Sequence, residues 1–148
     1  MNILWIQPSG QLALTSVFDD MSPPGFAELH AAVLRERGDI PADWQLAAIN
    51  VDWPETGWRH EAHRWDGGKV VVDLEAAKEE TRIRLRAERE PLFAANDLRL
   101  RDALIDGDEA KRLAGIAERD RLRGITDLVD SAMSLDSLKA LSAEVRDA

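Results

Sequence analysis

The chain of 148 residues has no cysteine, which excludes a disulfide framework, thiolate zinc sites and a cysteine nucleophile. Long apolar runs are missing too, and none approaches the roughly 20 residues needed to span a bilayer. The opening MNILWIQPSGQ lacks a basic region and reaches Gln7 and Pro8 too early for a signal peptide. Positive charge is in deficit: 19 Lys and Arg stand against 28 Asp and Glu, a formal net charge of −9. Neither a nucleic acid nor an anionic membrane surface is therefore expected as the main partner. The expected setting is the cytoplasm, or a particle assembled there. What remains is ample for folding, since 45% of residues are hydrophobic and 32% charged.

The two halves differ in chemistry. All five tryptophans (Trp5, Trp44, Trp53, Trp58, Trp65) and five of the six prolines precede residue 73, whereas the rest is dominated by Ala, Leu, Arg, Glu and Asp. The charge does not follow this divide: residues 1–72 carry 5 basic and 10 acidic groups, and residues 73–148 carry 14 and 18. The shift predicts an α+β chain, with a small antiparallel β-rich region over 1–72 and a helical region over 73–148. The helical part should consist of a long kinked helix and a C-terminal αα-hairpin.

Ile3–Ile6 and Leu12–Phe18 flank Gln7-Pro8-Ser9-Gly10, which is turn chemistry and predicts a β-hairpin. In the second strand Leu12, Leu14 and Ser16 share one face, and Ala13, Thr15 and Val17 the other. Ser22-Pro23-Pro24-Gly25 opens a helix with Phe26, Leu29, Val33 and Arg37 on one stripe, Ala32 beside them, and Gly38 as the stop. Trp44–Val51 is a third strand candidate, and Trp58–Trp65 reads as extended or irregular. Asp66-Gly67-Gly68 turns the chain tightly into Lys69–Asp73.

From Leu74 to Ile105 the pattern is helical, with Asp73 as N-cap and Pro91 expected to kink or break it. Between Glu75 and Glu90 five cations alternate with five glutamates, leaving a thin apolar side of Leu74, Ile83 and Leu85. So polar a helix gains too little from packing to hold its place alone and calls for a cover, either another chain or the hairpin partner. Glu80–Arg84–Glu88 and Arg86–Glu90 fall at i,i+4 and support it weakly, so replacing Arg84 and Glu88 is expected to matter little. Asp106-Gly107-Asp108 reverses the chain into a second helix containing Leu113, Ile116, Ala117 and Leu122, ended by Gly124. Two short helical pieces follow, the last capped by Ser134.

No residue set suggests catalysis or a cofactor. His60 and His63, with Glu61 and Asp66 nearby, could ligate a metal, yet no third histidine sits at usable spacing. A polar edge strand with imidazoles bonded to backbone is the better expectation. Tryptophans can stack bases, but single-strand sites pair aromatics with cations, and this half is acidic. The rings are expected in the core or at a protein contact. Arg82, Arg84, Arg86 and Arg89 are interleaved with Glu79, Glu80, Glu88 and Glu90, which points to a salt-bridge ladder and not a phosphate site. Gly67-Gly68 lacks the strand and helix context of a phosphate loop.

The run WDGGKVVVDLEAAKEETRIRLRAEREPLFAANDLRLRDALIDGD, followed by IAERDRLRGI, resembles a widespread family of small phage and prophage tail proteins, the tail-assembly-chaperone or tail-fibre-assembly-like proteins. The positions carrying the likeness are Trp65-Asp66-Gly67-Gly68, Val72-Asp73, Arg86 and Arg89 before Glu90-Pro91-Leu92-Phe93, and Asn96-Asp97. They continue through Leu100, Ala103, Gly107-Asp108 and Arg121-Leu122-Arg123-Gly124-Ile125-Thr126. Ile6–Leu12 resembles the opening hairpin of such proteins. Residues 58–127 match well and the rest loosely, with departures at His63, where an aromatic is usual, and Gly124, where an aspartate is.

The resemblance implies a non-enzymatic protein whose partners are other tail or fibre subunits, or further copies of itself. It would be made in the host cytoplasm and carried in the virion tail at the tip, baseplate or fibre attachment. A transient chaperone absent from the mature particle is the alternative, and a small acidic antagonist of host defence a third. The tryptophan-rich first half and the thin stripe of 74–90, which suggests burial in an oligomer, favour the virion. The expected binding residues are Leu92, Phe93, Leu98, Leu100, Leu104 and Ile105. They spread over more than one face of their helix, so they need two neighbours, and Leu113, Ile116 and Leu122 supply only one.

Overall fold

A computed structural model describes residues 2–16, 25–54 and 56–144. The end of the second expected strand (Val17, Phe18), the helix-opening Ser22-Pro23-Pro24, Glu55 and Val145 lie outside the described residues. The chain divides into two compact units, Met1–Ala76 and Ala77–Ala148. The division falls just inside the long helix, a few residues after the expected boundary.

The first unit is built on β1 (Asn2–Ile6), β2 (Leu12–Ser16) and β3 (Gln45–Ile49), an antiparallel sheet in the order β2-β1-β3. The register pairs Ile3 with Thr15, Leu4 with Leu14 and Trp5 with Ala13, as the alternation in Leu12–Ser16 requires. β1 is a continuous apolar run because both of its faces are covered. Ile3 and Trp5 pack on one side with Ala27 and Ala31 of α1 (Phe26–Glu36), joined by Ala13, Leu34, Ile40, Trp44 and Ile49. Leu4 and Leu12 pack on the other with Val70, Trp53, Trp65, Ala47 and Val51. Trp5 is fully buried, and its indole N–H donates to Thr15 Oγ1 at 3.1 Å. The Asn2 side chain lengthens the ladder by bonding both the N–H and the carbonyl of Val51.

α1 turns a different stripe inward from the one expected. Ala27 and Ala31 are buried with Leu34 beside them, while Leu29 is 63% and Val33 36% exposed. Trp5 and Trp44 already fill the space over the sheet, so the small alanines, not the leucine and valine, meet them. The helix ends as expected, with Gly38 at φ 76.

A 3-10 turn (His60–Ala62) leads into β4 (His63–Asp66), which pairs with β5 (Lys69–Val72) across Gly67-Gly68. Both glycines have positive φ, 56 and 133, and a Cβ at either would meet nothing within 4 Å. Valine at Gly67 would therefore cost about 1–3 kcal/mol through backbone strain alone.

α2 (Leu74–Asp106) spans 33 residues. Asp73 caps it, its Oδ1 accepting from Ala76 N at 3.0 Å. The helix runs unbroken through Pro91, so of the kink or break expected there the break does not occur. The proline is exposed, so water can meet a carbonyl left without its donor. α3 (Glu109–Gly124) forms the hairpin with α2, and the chain continues through a 3-10 turn (Ile125–Asp127), α4 (Leu128–Ser131) and α5 (Leu135–Ala140). Gly124 stays helical at φ −81 and hands over to the 3-10 turn, so it is not a left-handed stop. Ser134 caps α5 in a reciprocal box with Ser137. No helix among the described residues is long and apolar enough to cross a membrane.

The cover for residues 77–90 comes from this same chain, where the sequence suggested an oligomer or the hairpin partner. Ala77, Thr81 and Leu85, at i, i+4 and i+8, are buried, while Ile83 is half exposed. Arg84 donates to the carbonyls of Leu138 (3.1 Å) and Leu141 (2.9 Å), and Glu88 accepts from Ala143 N (3.0 Å). Arg82 bonds Asp130, and Arg89 reaches the carbonyls of Leu122 and Arg123. The expected salt-bridge ladder is present in Arg84–Glu88 and Arg82–Glu79. Its members also fasten the C-terminal segment, so Arg84 and Glu88 are not the dispensable pair that helix spacing implied.

Candidate protein-binding surface

The hairpin of α2 and α3 is set by local chemistry at its tip. Gly107 adopts φ 67, Asp108 N–H donates to Ala103 O at 2.9 Å, and the Asp108 carboxylate accepts from Lys111 N at 3.0 Å. These bonds close α2 and cap α3 across a single glycine. That backbone bond and the Lys111 ammonium hold the Asp108 carboxyl below its ordinary pKa, and Arg112 does the same for Glu109.

Between the helices Gly115 faces Leu100. A Cβ there would lie 2.6 Å from Leu100 Cδ2 and 2.8 Å from Leu100 Cγ, so the missing side chain is what seats Leu100. Beside it the buried Asn96 amide donates to Gly115 O at 2.8 Å. Asn96, Ala103, Gly115 and Leu122 are all buried along this seam. A glycine inside a helix costs about 1 kcal/mol relative to alanine, and close packing is the physical return for it.

The six expected binding residues do not form one surface. Leu92 and Phe93 are half-buried, and the Arg89 guanidinium lies 5.8 Å from the Phe93 ring centroid. Leu100 is half-buried against Gly115. Leu98, Leu104 and Ile105 are exposed, the last two at 66% and 76%. At 100° per residue Leu98 and Ile105 lie on the side of α2 away from Asn96 and Ala103, whereas Leu104 lies on the flank with Leu100. Leu100 and Leu104 meet Ile116 of α3 in an open groove edged by Asp97, Arg101, Arg112 and Arg119. Leu113 (55%) and Ile116 (39%) are themselves exposed, so of the three α3 residues expected to cover α2 only Leu122 is buried.

The charges at the edge are paired. Arg119 meets Asp97 at 3.6 Å across the groove, Arg112 Nε donates to Glu109 at 2.7 Å, and Arg101 meets Asp102 at 3.5 Å. Exposed pairs of this kind are worth little in stability and can be exchanged for a partner's charges. Asn96 was marked in the sequence only by the resemblance and Ile116 only as cover for α2, while Gly115 was not singled out. The signal available for Gly115 was an isolated glycine within a helical run.

The other candidates resolve into structure. His63 is buried, with Nδ1 2.9 Å from Arg59 O and Nε2 3.0 Å from Thr56 Oγ1. His60 stacks on Trp53, with ring centroids 4.5 Å apart. Among the described residues no three metal-ligating side chains gather. Compared with family models, curated proteins and solved structures, the chain has no match in any of the three.

Proposed function

We propose that this is a non-enzymatic bacteriophage tail protein that acts by binding other tail or fibre subunits, and that the α2–α3 hairpin is its binding surface. The observation that carries the binding role is the set of large apolar side chains left in solvent there. Leu98, Leu104, Ile105, Leu113 and Ile116 are all exposed on two helices that otherwise pack closely. Leu104 and Ile116 meet with Leu100 in one groove, and exposed apolar surface gathered in this way marks an interaction site. The tail setting is supported by the likeness of residues 58–127 to small phage tail proteins.

Retention in the virion is the preferred form of this reading. A transient assembly chaperone would use the same surface, because an open groove with an edge of exchangeable ion pairs can be covered and later released. Quantitative mass spectrometry of purified particles separates the two. Several copies per tail are expected, and absence from particles that still require the gene would establish the chaperone instead. If Leu104→Asp with Ile105→Asp leaves both particle assembly and infectivity intact, the hairpin is not the binding surface.

A further inference from the structure

The groove on the hairpin has a counterpart in the first unit of the same chain. α1 points Leu29, Ala32 and Val33 outward, away from Ala27 and Ala31, with Glu28 on the flank and Glu36 at the end of the stripe. All five are exposed, and neither glutamate forms an ion pair among the described residues. The one arginine of that helix is directed elsewhere: Arg35 donates to Trp44 O and lies 5.1 Å from the centroid of the Trp5 ring. The outward face of α1 is thus an apolar stripe flanked by Glu28 and Glu36, with Arg37 beyond its end paired to Asp39 at 3.2 Å. The groove has an apolar floor of Leu100, Leu104 and Ile116, and its edge carries Arg101, Arg112 and Arg119, whose partners Asp102, Glu109 and Asp97 form exposed pairs that an incoming carboxylate can replace.

The spacings agree. Glu28 and Glu36 lie eight residues apart, about 12 Å along a helix, and Arg112 and Arg119 seven apart, about 10.5 Å, at a rise of 1.5 Å per residue. Leu29 and Val33 stand between the carboxylates, as Ile116 stands between the arginines. From this match we infer that copies of the chain associate head to tail, α1 of one copy seating its acidic-edged stripe in the arginine-edged groove of the next.

Two copies meeting groove to groove would bring together arginines that already hold their own carboxylates, whereas Glu28 and Glu36 of α1 form no ion pair among the described residues and offer new partners. A contact between two different surfaces does not end at two copies. It continues until a ring closes or a filament grows. An amphipathic helix in a groove is a common recognition mode. With 11 residues in α1 the single contact is small, and association should be weak unless closure or a scaffold adds avidity. The inference rests on the hairpin being a binding surface but does not depend on the tail setting.

Sedimentation velocity of the full chain, over a concentration series up to about 500 µM to suit a small interface, tests it. The wild type should show a weight-average mass that rises past that of a dimer. Leu29→Asp/Val33→Asp and Leu104→Asp/Ile116→Asp change exposed residues only, so each should keep its helical circular dichroism and melting temperature. Each alone should remain monomeric. Their equimolar mixture should form a dimer and nothing larger, because only one stripe and one groove survive per pair. Glu28→Arg/Glu36→Arg should abolish self-association, and mixing it with Arg112→Glu/Arg119→Glu should restore a complex. A monomeric wild type, a mixture that stays monomeric, or charge reversal without effect each overturns the inference. The particle experiment, which reads association with tail proteins, would be unaffected by that failure.

Discussion

The two parts of α2 on either side of Pro91 have opposite apparent needs and opposite outcomes. Residues 77–90 are so polar that they look unable to pack, yet they hold the best-buried stripe of the helix, Ala77, Thr81 and Leu85. Residues 92–106 are rich in leucine and leave Leu98, Leu104 and Ile105 in water. The difference lies in what each part is fastened to. Arg84 and Glu88 use charged side chains to bond backbone groups of Leu138, Leu141 and Ala143, so a polar helix recruits its own cover. The second part makes one close seam with α3 through Asn96, Leu100 and Gly115, and Leu98, Leu104 and Ile105 remain exposed. Polarity therefore does not mark the exposed part, nor leucine content the buried one.

The largest effect that could break this contrast is at Leu85, which is fully buried. Leu85→Ala should cost about 2–5 kcal/mol in denaturant unfolding, as cavity-forming changes do. Leu104→Ala should stay within about 0.5 kcal/mol, as surface changes do, and should weaken association instead. Equal losses at the two positions would remove the distinction.

Next in size is the pair that fastens the C-terminal segment. Arg84→Ala with Glu88→Ala should cost about 1–3 kcal/mol, the range for hydrogen bonds to charged groups. Amide hydrogen exchange should quicken at Leu138–Ala143 while the hairpin tip is unchanged. Uniform loss of protection across α2 would mean that the clamp is not local.

Gly115→Ala should have a smaller effect. The new Cβ would overlap Leu100, at a cost of about 1–3 kcal/mol for overpacking. Against that, alanine regains about 1 kcal/mol of helix propensity. The net loss should shrink when Leu100→Ala is added, and a double-mutant cycle measures the coupling. Strict additivity would place Leu100 outside the notch.

The smallest effect is one of pH. The Asp108 carboxyl is held below its ordinary pKa by Lys111, and Glu109 by Arg112. Depressed folded-state values mean that their stabilisation is present above the ordinary carboxylate range and is lost as pH falls through the lowered values. The start of α3 should fray on acidification below about pH 4, near the unperturbed carboxylate range. Chemical shifts of Glu109–Arg112 would report it, and Asp108→Asn should flatten the response at that position.

Wherever a short stretch of chain decides a conformation, the sequence was legible. The Gln7–Gly10 turn, the alternation of Leu12–Ser16, the third strand, Gly67-Gly68, the caps at Asp73 and Ser134 and the reversal at Gly107 were all expected, because each depends on a few neighbouring φ angles or one side-chain bond. Residues that depend on a distant surface were not. Periodicity put Leu29 and Val33 inward on α1, but the bulk of Trp5 and Trp44 over the sheet leaves room for Ala27 and Ala31. Nothing local in the chain predicts that Asn96 and Gly115 meet across the seam. Arg84 and Glu88 form the pair that i,i+4 spacing suggests, and their bonds to residues 138–143 lie more than 50 positions away.

By itself, then, the sequence determined the main turns and caps and the extent of the long helix, that α and β regions would separate near residue 73, and that the chain carries no thiol chemistry. Those features follow from local backbone preference, composition and side-chain inventory. Only the tertiary structure decided which face of each helix is buried, which charged residues act as fasteners and which leucines stay exposed. That choice is made by the volume and hydrogen-bonding groups of segments far apart in the chain. A helix with apolar residues on several sides leaves it open until its neighbours are in place.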